Sequence, residues 1–283
     1  MDYRFSVLIP VYSKEKPEYF SQSLNSVINQ TLRPDEIVIV KDGPLTKKLD
    51  EVLDGIEKEN PGLVKTVALP QPEGCGAALS VGINECSYEL IARMDSDDIS
   101  RNDRFEKQIN EFKNDPALDI CGSQIAEFED NLKNIIAVRK VPLTDYFIKR
   151  RQKLRSAFNH VSVLYKKATI IKAGNYPNYP FMEDHVLWSR ILKSEDVKAK
   201  NLDEYLVYVR IGNDMFRRRG GMRYFRHYEK GRRILYKNGD ISLCEYILTI
   251  VLHLFVAFLP NYFRSTLYKK VLHRFTDNPN PCI

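Results

Sequence analysis

The first hundred residues alternate between short apolar runs and segments whose apolar positions recur three and four apart. Phe5–Tyr12, "FSVLIPVY", has strand length, with Pro10 near its end. The next segment, "KPEYFSQSLNSVINQ", places Phe20, Leu24, Val27 and Ile28 at helical spacing, and Pro17 suits its first turn. "DEIVIV" is again a β-branched run. "LTKKLDEVLDGIEKEN" puts Leu49, Val52, Leu53 and Ile56 on one helical face. "LVKTVAL" reads as a strand, "GAALSVGINEC" as a short helix and "ELIARM" as a strand. The pattern is β-α-β-α-β-α-β, which implies an α/β fold with a mostly parallel central sheet, flanking helices and right-handed crossovers. Ligands of such sheets bind outside the carboxyl ends of the strands. Pro10, Val11, Tyr12, Asp42 and the acids at 95–98 therefore fall on one rim.

Beyond the helical "DRFEKQINEFKND" the alternation loosens. "LDICGSQIAEFED", "NIIAVRKVP", "NHVSVLY" and "EYLVYVRI" read as strands, "TDYFIKRRQKL" and "MEDHVLWSRILK" as helices. No Gly/Ser-rich linker interrupts them. Residues 1–215 are expected to form one domain with halves at 1–100 and 101–215, and residues 216–283 a C-terminal helical extension. That extension carries an apolar segment, Tyr246–Leu259, ended by Pro260. It is too short to span a bilayer comfortably. A core-packing helix, an interfacial helix followed by a basic segment, and a re-entrant insertion all stay open for it.

Composition narrows this picture little. The chain has 283 residues, 43% hydrophobic and 28% charged, which is a globular balance. The start, "MDYRFSVLIPVY", enters a strand at once and is no secretory signal. Five cysteines, an odd number without C-x-x-C spacing, argue against a disulfide framework or zinc site and for a reducing cytoplasm. The net charge of +6 is gathered near 217–233 and 262–275, where it could meet an anionic membrane surface or nucleic acid.

The candidate chemistry lies in the acids. "ARMDSDDIS" crowds Asp95, Asp97 and Asp98 at the end of a strand. Like charges so close repel unless a cation or hydrogen-bond donors sit among them. The cluster is either a turn capping the next helix or a cation site. Asp42 before Gly43-Pro44 satisfies turn chemistry. Glu183 and Asp184 open a helix, where backbone N–H groups favour negative charge.

Taken in order and spacing, "SVLIPVY", "SLNSVINQT", "DEIVIVKDGP", the "DSDD" cluster followed by "DR", and Glu183-Asp184 resemble glycosyltransferase family 2, which has the Rossmann-like GT-A fold. "KDGPL", "ARMDSDD", "FNHVSVLYKK" and "NDMFRRRGG" resemble more closely the bacterial capsule and exopolysaccharide members, of amylovoran type. The resemblance spans roughly residues 4–225. It implies transfer of a sugar from a nucleotide donor, UDP-linked by expectation, to a glycan or lipid-linked acceptor hydroxyl at the cytoplasmic face of a membrane.

It also implies roles. A divalent ion, Mn²⁺ or Mg²⁺, neutralises the leaving diphosphate, and such hard ions want carboxylate oxygens. Asp97 and Asp98 are the candidate metal ligands, and Asp95 faces the nucleoside. Asp42 accepts a hydrogen bond from the base, and Tyr12 stacks on it or simply packs. The family's common motif has two acids before the glycine; here Lys41 replaces the first. Asp184 is the expected general base, supported by Glu183, with inversion at the anomeric carbon. Asn159 and His160 are acceptor-binding candidates. Arg218 and Arg219, beside Gly220-Gly221, form a candidate lid contacting a pyrophosphate or a lipid phosphate.

Two other classes stay open. A nucleotidyltransferase acting on sugar phosphates needs a Gly-rich loop after the first strand, and "PVYSKEKPEYFSQS" has no glycine. A basic nucleic-acid-binding protein finds no zinc or helix-turn-helix signature, and nucleic acid is not the expected partner.

Overall fold

The computed structural model describes residues 3–129, 131–179, 182–211 and 221–258. Strands β1 (Phe5–Tyr12), β2 (Glu36–Asp42), β3 (Val64–Ala68) and β4 (Leu90–Arg93) alternate with helices α1 (Pro17–Ile28), α2 (Lys47–Glu59) and α3 (Cys75–Glu85). These four strands pair in parallel, in the order β3-β2-β1-β4. After β4 the chain forms β5 (Ile99–Ser100), α4 (Arg104–Asn114), β6 (Leu118–Phe128), β7 (Ile135–Arg139), α5 (Asp145–Gln152), β8 (Leu164–Lys166), α6 (Lys167–Lys172), α7 (Glu183–Leu192) and β9 (Lys198–Arg210). The expected α/β fold with a helix-flanked sheet is the one observed. Parallel pairing persists only in part beyond β4: β8 joins β4 and β6 antiparallel, while β6 and β9 run parallel.

Period-two alternation along β1 explains the layers. Val7 and Ile9 point to one face with Phe20, Leu24, Leu49 and Phe105, whereas Leu8 points to the other with Leu79, Ile83 and Trp188. Helices therefore cover both faces of the sheet. On the second face, α3 packs against the strands through Gly82. A Cβ there would run into Leu8 Cδ1 and come within 2.8 Å of Val40 Cγ2.

The segment 159–165 departs from the expected strand. His160–Ser162 forms a 3₁₀ turn, and only Leu164–Lys166 pairs in the sheet. Ser162 donates from both its N–H and its Oγ to the Asn159 carbonyl at 2.8 Å, which curls the chain before pairing begins.

Two further helices follow, α8 (Gly221–Lys237) and α9 (Leu243–Phe258). α8 seats on α7 through Met182, Val186 and Leu235. The buried Arg232 donates to the Lys153 carbonyl at 2.7 Å and lies 3.2 Å from His185 Nε2. α9 meets α8 with its polar side: Tyr246 donates to Glu229 at 2.7 Å, and His253 stacks on Tyr228 at 3.5 Å. Its apolar side faces outward, with Ile247, Val251, Phe255 and Phe258 all more than half exposed. Among the described residues α9 is therefore not a core helix, and no helix is long and apolar enough to cross a membrane.

The close approach at Gly82 gives a direct test. Gly82→Ala is expected to lower the unfolding free energy by about 1–3 kcal/mol, the usual cost of overpacking. Urea denaturation checks this; unchanged stability would show that α3 does not lie where described.

Candidate active site

The acid cluster leaves β4 at its carboxyl end and is held from three sides. Arg93, 3% exposed, donates to Asp95 Oδ2 at 2.6 Å. Burial opposes its charge, but its neighbours together, Asp95 foremost, hold the guanidinium above its ordinary pKa. From α1, Ser23 Oγ donates to the Asp95 carbonyl at 2.7 Å. From the loop after β1, Glu15 accepts from Ser96 Oγ at 2.8 Å. From the end of β9, Arg210 donates its N–H to Asp98 Oδ1 at 2.8 Å and its Nε to the Asp97 carbonyl at 3.1 Å. Its guanidinium lies over the Tyr19 ring, 3.9 Å from the centroid.

These contacts separate the two neighbouring acids. Asp98 is 1% exposed and tied to the β9 backbone. Asp97 stays partly open, and burial with the charges of Asp95 and Glu15 pushes it up to about 7. Asp98 is also raised well above the usual carboxylate range by burial and by Asp97.

On the neighbouring strand Asp42 is nearly buried. Its Oδ1 accepts from the backbone N–H of Glu73 at 2.7 Å and of Gly74 at 3.1 Å, fixing the entry to α3. Each carboxylate oxygen has two acceptor positions, and among the described residues Oδ2 is engaged only by Gly74. Lys41, in place of the family's acid, reaches Asp50 of α2 at 2.6 Å. Tyr12 lies opposite Asp42 in register and is 45% exposed. Pro10 is half-buried in the same strand. The Val11 side chain is 1% exposed within the core, so it shapes the rim from beneath.

Glu183 and Asp184 open α7 against the start of α3. A Cβ on Gly76 would stand 2.6 Å from the Pro177 carbonyl and 3.2 Å from Glu183 Cβ, so only glycine permits this approach. Burial and Asp184 raise Glu183 to about 7, and its buried Oε2 has no hydrogen-bond partner among the described residues. Asp184 is raised by burial, against the pull of its backbone hydrogen bond and of Arg93 and Arg139. Arg93 thus acts on Asp95, Asp97, Glu183 and Asp184, which places both acidic pairs around one guanidinium.

Asn159 is corrected as an acceptor-binding residue. It is fully buried, donates to the carbonyls of Ser123 and Arg139, and accepts from Arg139 Nε at 2.6 Å. It braces β6 against β7. His160 is half-buried with Nε2 2.8 Å from the Tyr176 hydroxyl, and it packs edge-on to Trp188. Burial and Arg93 hold it neutral, well below its usual pKa. Arg218, Arg219 and Gly220 of the expected lid lie outside the described residues, and Gly221 begins α8.

The sequence reading passed over Arg93 and Arg210, each lodged in an apolar run, "ELIARM" and "VYVRI". A charge within a strand-like run is the signal that could have found them, since buried charges need partners. It also passed over Glu15 and Gly76. The Asp-Arg pair noted after the cluster does have a visible role. Arg104, fully buried, donates to the Arg93 carbonyl at 2.8 Å and to Gln108 at 2.9 Å.

The oxygen donors fit a hard divalent ion. Asp97 is half open amid like charges, which a cation would relieve. No group of three His, Cys, Asp or Glu among the described residues could hold an ion alone, so an ion here would take further ligands from elsewhere.

A parallel-sheet rim with carboxylates on two strand ends and a helix-opening acidic pair is the architecture of a GT-A glycosyltransferase. The comparisons place it: the family model for glycosyl transferase family 2 matches residues 6–174, and the chain belongs to that family. It is 36% identical to the UDP-Gal:alpha-D-GlcNAc-diphosphoundecaprenol beta-1,3-galactosyltransferase of Escherichia coli, over 96% of this chain and 98% of that one. It is 38% identical to the amylovoran biosynthesis glycosyltransferase AmsE of Erwinia amylovora, over 78% and 82% of the two chains. The fold matches that of the mannosyltransferase PcManGT of Pyrobaculum calidifontis, solved with GDP-Man and Mn²⁺, at a TM-score of 0.62 and 13% identity, covering 92% of this chain and 71% of that one. The protein is thus a glycosyltransferase, and the nucleotidyltransferase and nucleic-acid readings fall away.

The burial of Glu183 has a consequence for stability. Its pKa rises on folding, so the folded chain holds that proton more tightly than the unfolded chain. The associated stability is full below about 4.5 and lost as pH rises through about 7. Glu183→Gln cannot titrate. In metal-free buffer its stability relative to the parent is expected to increase across that window; parallel denaturation curves would contradict this.

Proposed function

We propose that the protein transfers a sugar from a UDP-sugar to a hydroxyl of a lipid-linked or growing cell-surface polysaccharide acceptor, in one displacement that inverts the anomeric carbon. The observation that carries the reading is the convergence of the acidic turn and the Glu183-Asp184 pair on Arg93. The chemistry named for the Escherichia coli relative supports the donor and acceptor classes. In this reading Asp42 accepts from the base through Oδ2, Tyr12 and Pro10 flank it, and Asp95 faces the ribose. Asp97 is the metal ligand, and Asp98 fixes the turn through Arg210 and stands behind it. A bound divalent ion would supply charge neutralisation for the leaving diphosphate. Residues 1–215 act as the catalytic unit, with halves at 1–100 and 101–215; 216–283 form an extension whose Arg218 and Arg219 meet phosphate.

Asp184 takes the proton of the attacking hydroxyl. A carboxylate with a raised pKa is a better base than an ordinary one, provided it stays ionised at working pH. Arg93 and Arg139 favour that ionised form. Glu183 beside it is raised as well, so the two carboxyls titrate as a pair. His160, neutral and held by Tyr176, offers its other ring nitrogen to the acceptor.

The enzyme works at the cytoplasmic face of the cell membrane as a peripheral protein. The outward apolar side of α9 and the basic charge near 217–233 and 262–275 support this.

Asp184→Asn is expected to lower kcat by at least about 100-fold, the usual scale for a lost general base, while UDP-sugar binding persists. Transfer near the parent rate would reject the assignment. Asp97→Asn should abolish the rise in Tm that Mn²⁺ gives in the presence of UDP, because a ligand that binds only the folded state stabilises it by mass action. An undiminished rise would remove Asp97 from the metal.

A further inference from the structure

Between the segment around α5 and the side of α9 lies an open groove of about 910 Å³. That volume is within the range of small-molecule sites. Leu143, Phe147 and Leu154 line one wall and Leu248 the other. Each of these four is exposed, with Phe147 58% and Leu248 48% exposed. The groove also has a cationic edge, made by Arg150, Arg151 and Lys153.

The cations are not equivalent. Arg150 is engaged locally, donating to the Tyr146 hydroxyl at 3.0 Å. Arg151 makes no side-chain hydrogen bond or ion pair among the described residues, and its buried Nε is an orphan donor. Burial holds its pKa below the ordinary arginine value. The acid that lines the groove, Glu245, does not compensate it. Glu245 instead accepts from the Ser242 N–H at 2.7 Å, while its own N–H donates to Ser242 Oγ, capping α9. An apolar channel with an uncompensated guanidinium at its edge is complementary to an amphiphilic anion.

The groove is also tied to the candidate base. Gln152, the last residue of α5, donates to the His185 carbonyl and to Ser189 Oγ, each at 3.1 Å. His185 follows Asp184 directly. Arg232 binds the same two segments from α8, at His185 and at the Lys153 carbonyl. One set of hydrogen bonds therefore fixes the cationic edge of the groove relative to the start of α7.

We infer that this groove binds the lipid part of the acceptor, a polyprenyl diphosphate, with its hydrocarbon over Phe147, Leu154 and Leu248 and its phosphate on Arg151 and Lys153. The inference rests on the lipid-linked acceptor proposed above. It gives that acceptor a path from α9 to Asp184 and gives the enzyme a means of selecting carrier-linked acceptors over free glycans.

The test uses the full chain in detergent. A polyprenyl diphosphate bearing a photoreactive group in its hydrocarbon is cross-linked, and the labelled peptides are mapped by mass spectrometry. Labels in residues 142–154 and 243–258, reduced at least about tenfold in the exposed-site variants Phe147→Asp and Leu248→Asp and weakened in Arg151→Gln, are expected. Labels elsewhere, or labelling unchanged in all three variants, would overturn the inference. So would variants that lose binding to phosphatidylglycerol vesicles or lose dimerisation yet keep the label, since the face would then serve a bilayer or a second copy. Transfer is read in parallel on GlcNAc diphosphate esters of undecaprenol and of methanol. A selective rise in KM for the undecaprenyl ester in the variants supports the groove. Groove labelling without transfer to either ester upholds the groove and instead rejects the acceptor sugar tested.

Discussion

A single buried guanidinium allows this site to exist. Six carboxylates, those of Glu15, Asp95, Asp97, Asp98, Glu183 and Asp184, are brought to one end of the sheet, and burial penalises the charges of Asp97, Asp98, Glu183 and Asp184. Arg93 lies beneath them, in contact with Asp95 and close enough to favour the ionised forms of Asp97, Asp98, Glu183 and Asp184. It is held in turn by Arg104, which grips the Arg93 carbonyl. Burial and Arg93 itself depress Arg104 to about 9. Arg93, Arg139 and Arg210 are fewer than the acids they face, and Asp97, Asp98, Glu183 and Asp184 are all raised by burial. A divalent cation at Asp97 would relieve that crowding.

The second half of the site depends on a steric condition. The segment leading into α7 meets the start of α3 because Gly76 has no side chain to strike the Pro177 carbonyl, with Glu183 packed beside it. The acidic pair is thereby placed across the rim from the turn that follows β4. The start of α7 is also where α5 and α8 converge, through Gln152 and Arg232. The outward-facing C-terminal helix is thus mechanically continuous with the candidate base, and a contact at the groove has a short hydrogen-bonded route to the acceptor side.

Much of this was legible in the chain. The period-two run in β1 and the helical spacing in α1, α2 and α4 depend on local burial, which sequence encodes directly. Asp42 and the acids at 95–98 were legible because strand ends in a parallel sheet must share a rim. The turn at His160–Ser162 was not, because the hydrogen bonds that curl it depend on Asn159, whose partners Ser123 and Arg139 are distant in sequence. For the same reason Asn159 looked like a polar group awaiting a ligand and is instead a buried brace. β5 is two residues long and exists only through its pairing with β9. Arg93 and Arg210 were hidden within apolar runs, since a side chain's partners across the sheet leave no mark on its own segment. The groove beside α9 is likewise a product of packing, joining residues about a hundred positions apart.

The account stands on Asp184 acting opposite the leaving group in one displacement. The direct measurement is the anomeric configuration of the product formed from the accepted UDP-sugar, whose anomeric carbon is α-linked to the diphosphate, read from the H1–H2 coupling in the proton NMR spectrum of the isolated glycan. The account predicts a β-linked product. An α-linked product would contradict it.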